Sequence, residues 1–188
     1  MFLAVLLVSP SLAFGATISA DTMLSNLSLQ LPYLFELVSG FAYLGGVFMI
    51  FIGVYHLREY GESRAMSSNK LDLKGPLSYI IIGAALIYLP SAKDTMLISV
   101  YGTTNLSPYV GYGDPQTSFN QMGQAIVDIV QFVGLVAFVR GLFLFQRVGT
   151  GQAQQGTFNK GLVHLLGGVL AMNVVGFVHI VDVTLGIT

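Results

Sequence analysis

The chain has 188 residues, 54% of them hydrophobic and 9% charged, with a formal net charge of -1, whereas an ordinary soluble domain carries roughly 25% charged residues. That balance argues against a water-soluble globule and against a basic field for nucleic acid, so no direct nucleic-acid binding is expected. The absence of cysteine excludes disulfides, thiolate metal sites and a cysteine nucleophile.

The opening stretch MFLAVLLVSPSLAFGATISA has an apolar run from Phe2 to Val8, then a proline and small residues. Ala13 and Gly15 suit a secretory cleavage site, which makes residues 1–15 a signal peptide and Ala16 the mature N-terminus, although no basic residue precedes the apolar run. Residues 16–32 are then a short segment outside the membrane.

From Tyr33 to Leu57 the sequence is apolar for the roughly 20 residues that a helix needs to cross the hydrocarbon, with Glu36 near one end. A second, shorter span runs from Leu71 or Pro76 to Leu89, as a tilted or broken crossing that Pro90 stops. Residues 90–121 form the loop between spans two and three, in which SVYGTTNLSPYVGYGDPQTSFN is rich in Gly, Pro, Asn, Ser and Tyr, which is turn chemistry. The third span covers Met122 to Phe145 and the fourth Gly161 to Ile187. The sequence therefore predicts an all-α membrane protein of four transmembrane helices, paired as two helical hairpins over 33–89 and 122–188, after an N-terminal signal-like segment.

Arg58, Arg64, Lys70 and Lys74 lie between spans one and two, and Arg147 and Lys160 between spans three and four, whereas the loop between spans two and three carries Lys93 alone. By the positive-inside rule both short loops are cytoplasmic. The 90–121 loop and the C-terminus then lie outside, in agreement with signal cleavage. A faint repeat has the same layout: Gly46, Gly53 and Gly61 recur as Gly134, Gly141 and Gly149 at an offset of 88, and Lys74-Gly75 as Lys160-Gly161 at an offset of 86. With 22 glycines in the chain, such matches also arise by chance.

On a helix of 100° per residue, Gln121, Gln124, Asp128, Gln131 and Gln146 share one face of span three, and Gly134, Ala137 and Gly141 the opposite face. A carboxylate and amides facing acyl chains cost several kcal/mol, so the polar stripe must meet neighbouring helices or line an aqueous conduit. Both readings remain open. Arg140 either snorkels to the inner interface beside Arg147, pairs with an acid on another subunit, or acts as a selectivity residue in a pore. In span four, His164, Gly168, Ala171, His179 and Asp182 share a face, the Gly167-Gly168 pair invites close helix packing, and Asn173 points the other way as interhelical glue. His179 and Asp182 form an outer polar pair. No further ligands accompany it, so no metal, cofactor or catalytic residue is expected.

GTGQAQQGTFNKG lacks the lysine of a phosphate loop in the required place, and neither HExxH nor GxSxG occurs. FVRGLFLFQRVGTG followed by GTFNKGLVHLLGGVLAMNVVG resembles the IcmC/DotE family of the Dot/Icm type IVB secretion system and its counterparts in IncI-type conjugation, most closely over Phe132 to Gly176. The resemblance implies a small multi-pass component of the bacterial inner membrane, without catalytic residues, in a translocon for effector protein or DNA. Its implied partners are other inner-membrane and periplasmic secretion proteins, copies of itself in a ring, and the lipid bilayer, with the Gly102–Asn120 loop facing a periplasmic component. The residues alone also admit a pilin-like filament subunit, or an autonomous small transporter or ion channel.

Overall fold

The computed structural model describes residues 20–66, 73–109, 111 and 118–187. The expected signal segment 1–15 and the basic residue Lys70 lie outside them. The described residues form six helices and no strand: α1 (Ala20–Met66), α2 (Lys74–Ile87), α3 (Leu89–Tyr101), α4 (Ser118–Gly149), α5 (Thr157–Met172) and α6 (Val174–Leu185). α1 and α4 are each long and apolar enough to cross a membrane, and α2–α3 and α5–α6 bring the number of spans to four if each bent pair is one crossing.

α1 is helical from Ala20, the first described residue, and passes through Pro32 without ending, so most of the segment assigned to residues 16–32 is helical and continuous with the first span. At 1.5 Å per residue its 47 residues extend about 70 Å, more than twice the roughly 30 Å of bilayer hydrocarbon. α1 therefore projects beyond the membrane.

The remaining helices correct two boundaries. Pro90 does end a helix, since proline lacks the N–H that an interior turn donates and its ring crowds the preceding turn. The chain restarts at once, however, with Pro90 in the first turn of α3, where no N–H is needed. α3 leaves α2 at 88°, so the first 12 residues assigned to the 90–121 loop are helical. The span expected from Gly161 to Ile187 is also broken, at Asn173, and α6 leaves α5 at 87°. No proline causes this second break. Asn173 leaves the helical region (φ -124, ψ 54), and its side chain accepts the Gly176 N–H as the N-cap of α6.

The two halves are built alike. In each, a long helix packs antiparallel on a shorter one that turns aside at a right angle. Phe177 N–H donates to Asn173 O and Ala92 N–H to Tyr88 O, both at 2.9 Å, across the two breaks. Each crosswise helix ends on a left-handed glycine, Gly102 (φ 72) in α3 and Gly186 (φ 68) in α6, a conformation that L side chains disfavour. A Cβ on Gly46 would lie 2.6 Å from Gly83 O, and one on Gly134 2.8 Å from Gly168 O. Gly53 and Gly141 occupy the next such approach, against Pro76 O and Gly161 O. The long helices thus correspond at the expected offset of 88, but the broken helices correspond at 85, as in Tyr88 to Asn173 and Pro76 to Gly161. The Lys74-Gly75 and Lys160-Gly161 match at 86 is one residue out of this register.

α4 joins the halves by packing between α1 and α2. It runs parallel to α1: Phe35 meets Phe132 edge to face at 5.4 Å, and Gly45 meets Phe143 further along both helices. Ala42, Met49, Leu86, Leu135, Phe138 and Leu142 fill the shared core.

Candidate functional site

The polar stripe of α4 divides into three parts. Gln124 Nε2 donates to Asp128 Oδ1 at 2.7 Å, one turn apart on the same helix and half-buried, so part of the stripe satisfies itself. Gln131 lies one turn further on and lines a cavity of about 320 Å³ with Phe35, Ser39, Leu89, Lys93 and Met172. This cavity sits where α2 and α5 break, and the Lys93 ammonium contacts Asp94 at 3.1 Å. Gln146 is buried at the opposite, basic end, where its carbonyl accepts from Ser78 Oγ at 3.3 Å. Arg140 is exposed on the side of α4, with no acidic partner among the described residues.

The small-residue face proves more specific than its composition. Gly134, Gly141 and Gly168 all lie in close backbone contact, and Ala137 between them is half-buried. Gly167 departs from the expectation: a Cβ there would meet nothing within 4 Å. Neighbouring helix positions point about 100° apart, so one glycine of a pair can face the partner while the other looks outward.

Asn173 is fully buried, yet it does not bridge two spanning helices as expected. Its Oδ1 accepts the Ser107 N–H at 3.0 Å and the Gly176 N–H at 3.3 Å, so it caps α6 and fixes the connection that follows α3. Tyr101 Oη donates to Leu170 O at 3.4 Å, in the last turn of α5, where carbonyls lack intrahelical donors. The break in the second half is thus stitched to the end of α3. The expected outer pair is also corrected. Among the described residues no ion pair joins His179 to Asp182, and His179 is exposed. Because the chain turns at Asn173, these two residues no longer continue the face that carries His164, whose Nδ1 contacts Lys160 O at 2.7 Å.

A second cavity, about 290 Å³, opens at the basic end and is lined by His56, Glu59, Tyr60, Pro76, Tyr79 and Thr150. The His56 ring stacks on Tyr79 with centroids 5.8 Å apart, and its Nδ1 lies 3.4 Å from Glu59 Oε2. Sequence reasoning singled out neither residue, although His and Glu three positions apart at the end of an apolar helix share a face. Phe138, Leu86, Leu142 and Met49 pack between the two cavities. Among the described residues, no three His, Cys, Asp or Glu side chains are grouped to hold a metal ion.

The described residues are those of an all-helical membrane protein whose hairpins pack closely at glycines. No protein-family model, curated protein or solved structure matches the chain.

Proposed function

We propose that this protein is an inner-membrane structural or channel-forming subunit of a type IVB secretion or conjugation apparatus, helping to build the path for exported effector protein or DNA. The secretory setting rests on the resemblance of residues 132–176 to the IcmC/DotE family. The observation that best supports a subunit role is the packed apolar centre between the two end cavities, with Phe138 only 1% exposed. A hydrophilic cargo finds no room inside this bundle, so a conduit would run beside it, against partners or further copies. Gln124, Asp128 and Gln131 would form the edge or seal of that conduit. In this reading the basic end is cytoplasmic, and the α2–α3 and α5–α6 breaks with the 102–120 connection face the periplasm.

Extraction of the tagged protein from its native membrane in mild detergent, followed by native sizing and mass spectrometry, tests the reading. Large inner-membrane and periplasmic secretion proteins should accompany it. Recovery of the chain alone, or only with itself, counts against the secretory setting and favours a small autonomous channel.

A further inference from the structure

We infer that a second copy of this chain docks its α1 into the groove between α4 and α5, and that copies add head to tail. This names one partner for the proposed subunit and rests on that reading only for embedding in a membrane. The template is the interface inside the chain. α4 packs in the groove between α1 and α2, but α1 makes no comparable contact with α5. The two halves are therefore not related by a closed two-fold exchange. One half receives a long helix in its groove, and the equivalent groove of the other half receives none.

Three of the equivalent positions on the two unpartnered surfaces carry exposed apolar side chains, Val133, Tyr55 and Val163, whereas Arg58 is exposed and paired with Glu62 on its own helix. Gly45 receives Phe143 inside the chain; 88 residues on from Gly45 stands Val133, 56% exposed, and 88 residues back from Phe143 stands Tyr55, 66% exposed. Ser78 meets Gln146 at the basic end. The counterparts are Val163, 65% exposed, and Arg58. Ile82 packs against the internal core, and its counterpart 85 residues on is Gly167, the glycine with nothing near it. Small residues let a second helix approach closely in lipid, where apolar burial alone gives no preference for protein over acyl chains. The groove is thus lined by the equivalents of residues that already hold such a helix, with an open glycine at its floor.

α1 and α4 run parallel, so a docked copy keeps the same orientation in the bilayer. Such a contact is heterologous: each copy offers α1 to one neighbour and its groove to another, and the chain of copies closes as a ring or continues as a filament.

Crosslinking of paired cysteines with a short bismaleimide tests this directly, because the protein has no cysteine of its own and the template contact is made by the far end of the Phe143 ring, beyond the roughly 4 Å between Cβ atoms that a disulfide spans. The variant carrying Val133→Cys with Tyr55→Cys, treated with the bismaleimide in membranes that lack other secretion proteins, should give a ladder of dimers, trimers and larger species. Either substitution alone should give none. Phe48→Cys with Val136→Cys, an exposed pair on the same two helices but outside the groove, should also stay monomeric. Phe35→Cys with Phe132→Cys, whose rings meet inside the chain, should be bridged by the same reagent within one chain and report that fold and reagent are intact. Adding Gly167→Trp to the Val133/Tyr55 pair should abolish the ladder at unchanged membrane level. The inference is overturned if the Val133/Tyr55 pair gives no ladder while the internal pair closes. It is equally overturned if either single variant gives dimers, if the Phe48/Val136 pair crosslinks as well, or if the ladder survives Gly167→Trp. Co-purification of secretion proteins is a separate measurement, so failure here leaves the subunit reading standing.

Discussion

Asn173 and Ser107 are 66 residues apart in sequence and joined by a hydrogen bond of 3.0 Å from the Ser107 N–H to the Asn173 side-chain oxygen. The same oxygen caps α6 through Gly176. One buried amide therefore decides where α5 ends, how α6 starts and where the chain after α3 rests.

Asn173→Leu should be strongly destabilising. Loss of an N-cap costs about 1 kcal/mol, and leaving the Ser107 and Gly176 N–H groups without an acceptor adds about 1–3 kcal/mol for each that stays dry. Hydrogen–deuterium exchange in detergent should show faster exchange at both amides, with Asn173→Asp retaining most of the protection. Unchanged exchange at Ser107 would remove the stitch from the account.

The adjacent glycines should behave in opposite ways. A Cβ on Gly168 would lie 2.7 Å from both Gly134 O and Phe138 N, so Gly168→Ala should cost about 1–3 kcal/mol through overpacking. Gly167→Ala meets nothing within 4 Å and should stabilise an isolated copy by up to about 1 kcal/mol through helix propensity. Thermal unfolding of the two variants in the same detergent separates them.

Asp128→Asn keeps an oxygen to accept from Gln124 and removes only the charge. If Asp128 edges a conduit, export should fall while the amount of protein in the membrane stays at the wild-type level. Normal export would show that no charge is needed there.

Phe138 lies between the end cavities, and Phe138→Ala should lower stability by about 3–5 kcal/mol through the void it leaves. If the packed centre around Phe138 separates the two end cavities, the variant in liposomes should also pass small solutes that the wild type excludes. A leak assay against the wild-type protein checks this.

Much of this arrangement was legible because apolar length and glycine spacing are direct signals. The long helices, their glycine faces and the 88-residue correspondence follow from hydropathy and helix period. The second right-angle break did not, since no proline marks it and an asparagine in an apolar run reads equally well as a contact between helices. Its preference for N-cap positions, with Gly176 three residues on, was the available signal. The helical character of residues 20–32 was hidden by Asn26, Ser28 and Gln30, polar residues that read as a segment outside the bilayer although a helix extending beyond the lipid accepts them. The different roles of Gly167 and Gly168 depend on which way a neighbour approaches, a property of the packed bundle and not of the local sequence.

The breaks at Tyr88 and Asn173 leave α2 and α5 with 14 and 16 residues, or about 21 and 24 Å of rise, against roughly 30 Å of relaxed hydrocarbon. Where each bent pair is one crossing, lipid beside these helices has too low an apolar wall to stand against, and its acyl chains must tilt or compress to match, at a cost of fractions of a kcal/mol per Å. A polar segment passing along this side of the protein would therefore cross a thinner barrier than the surrounding bilayer presents.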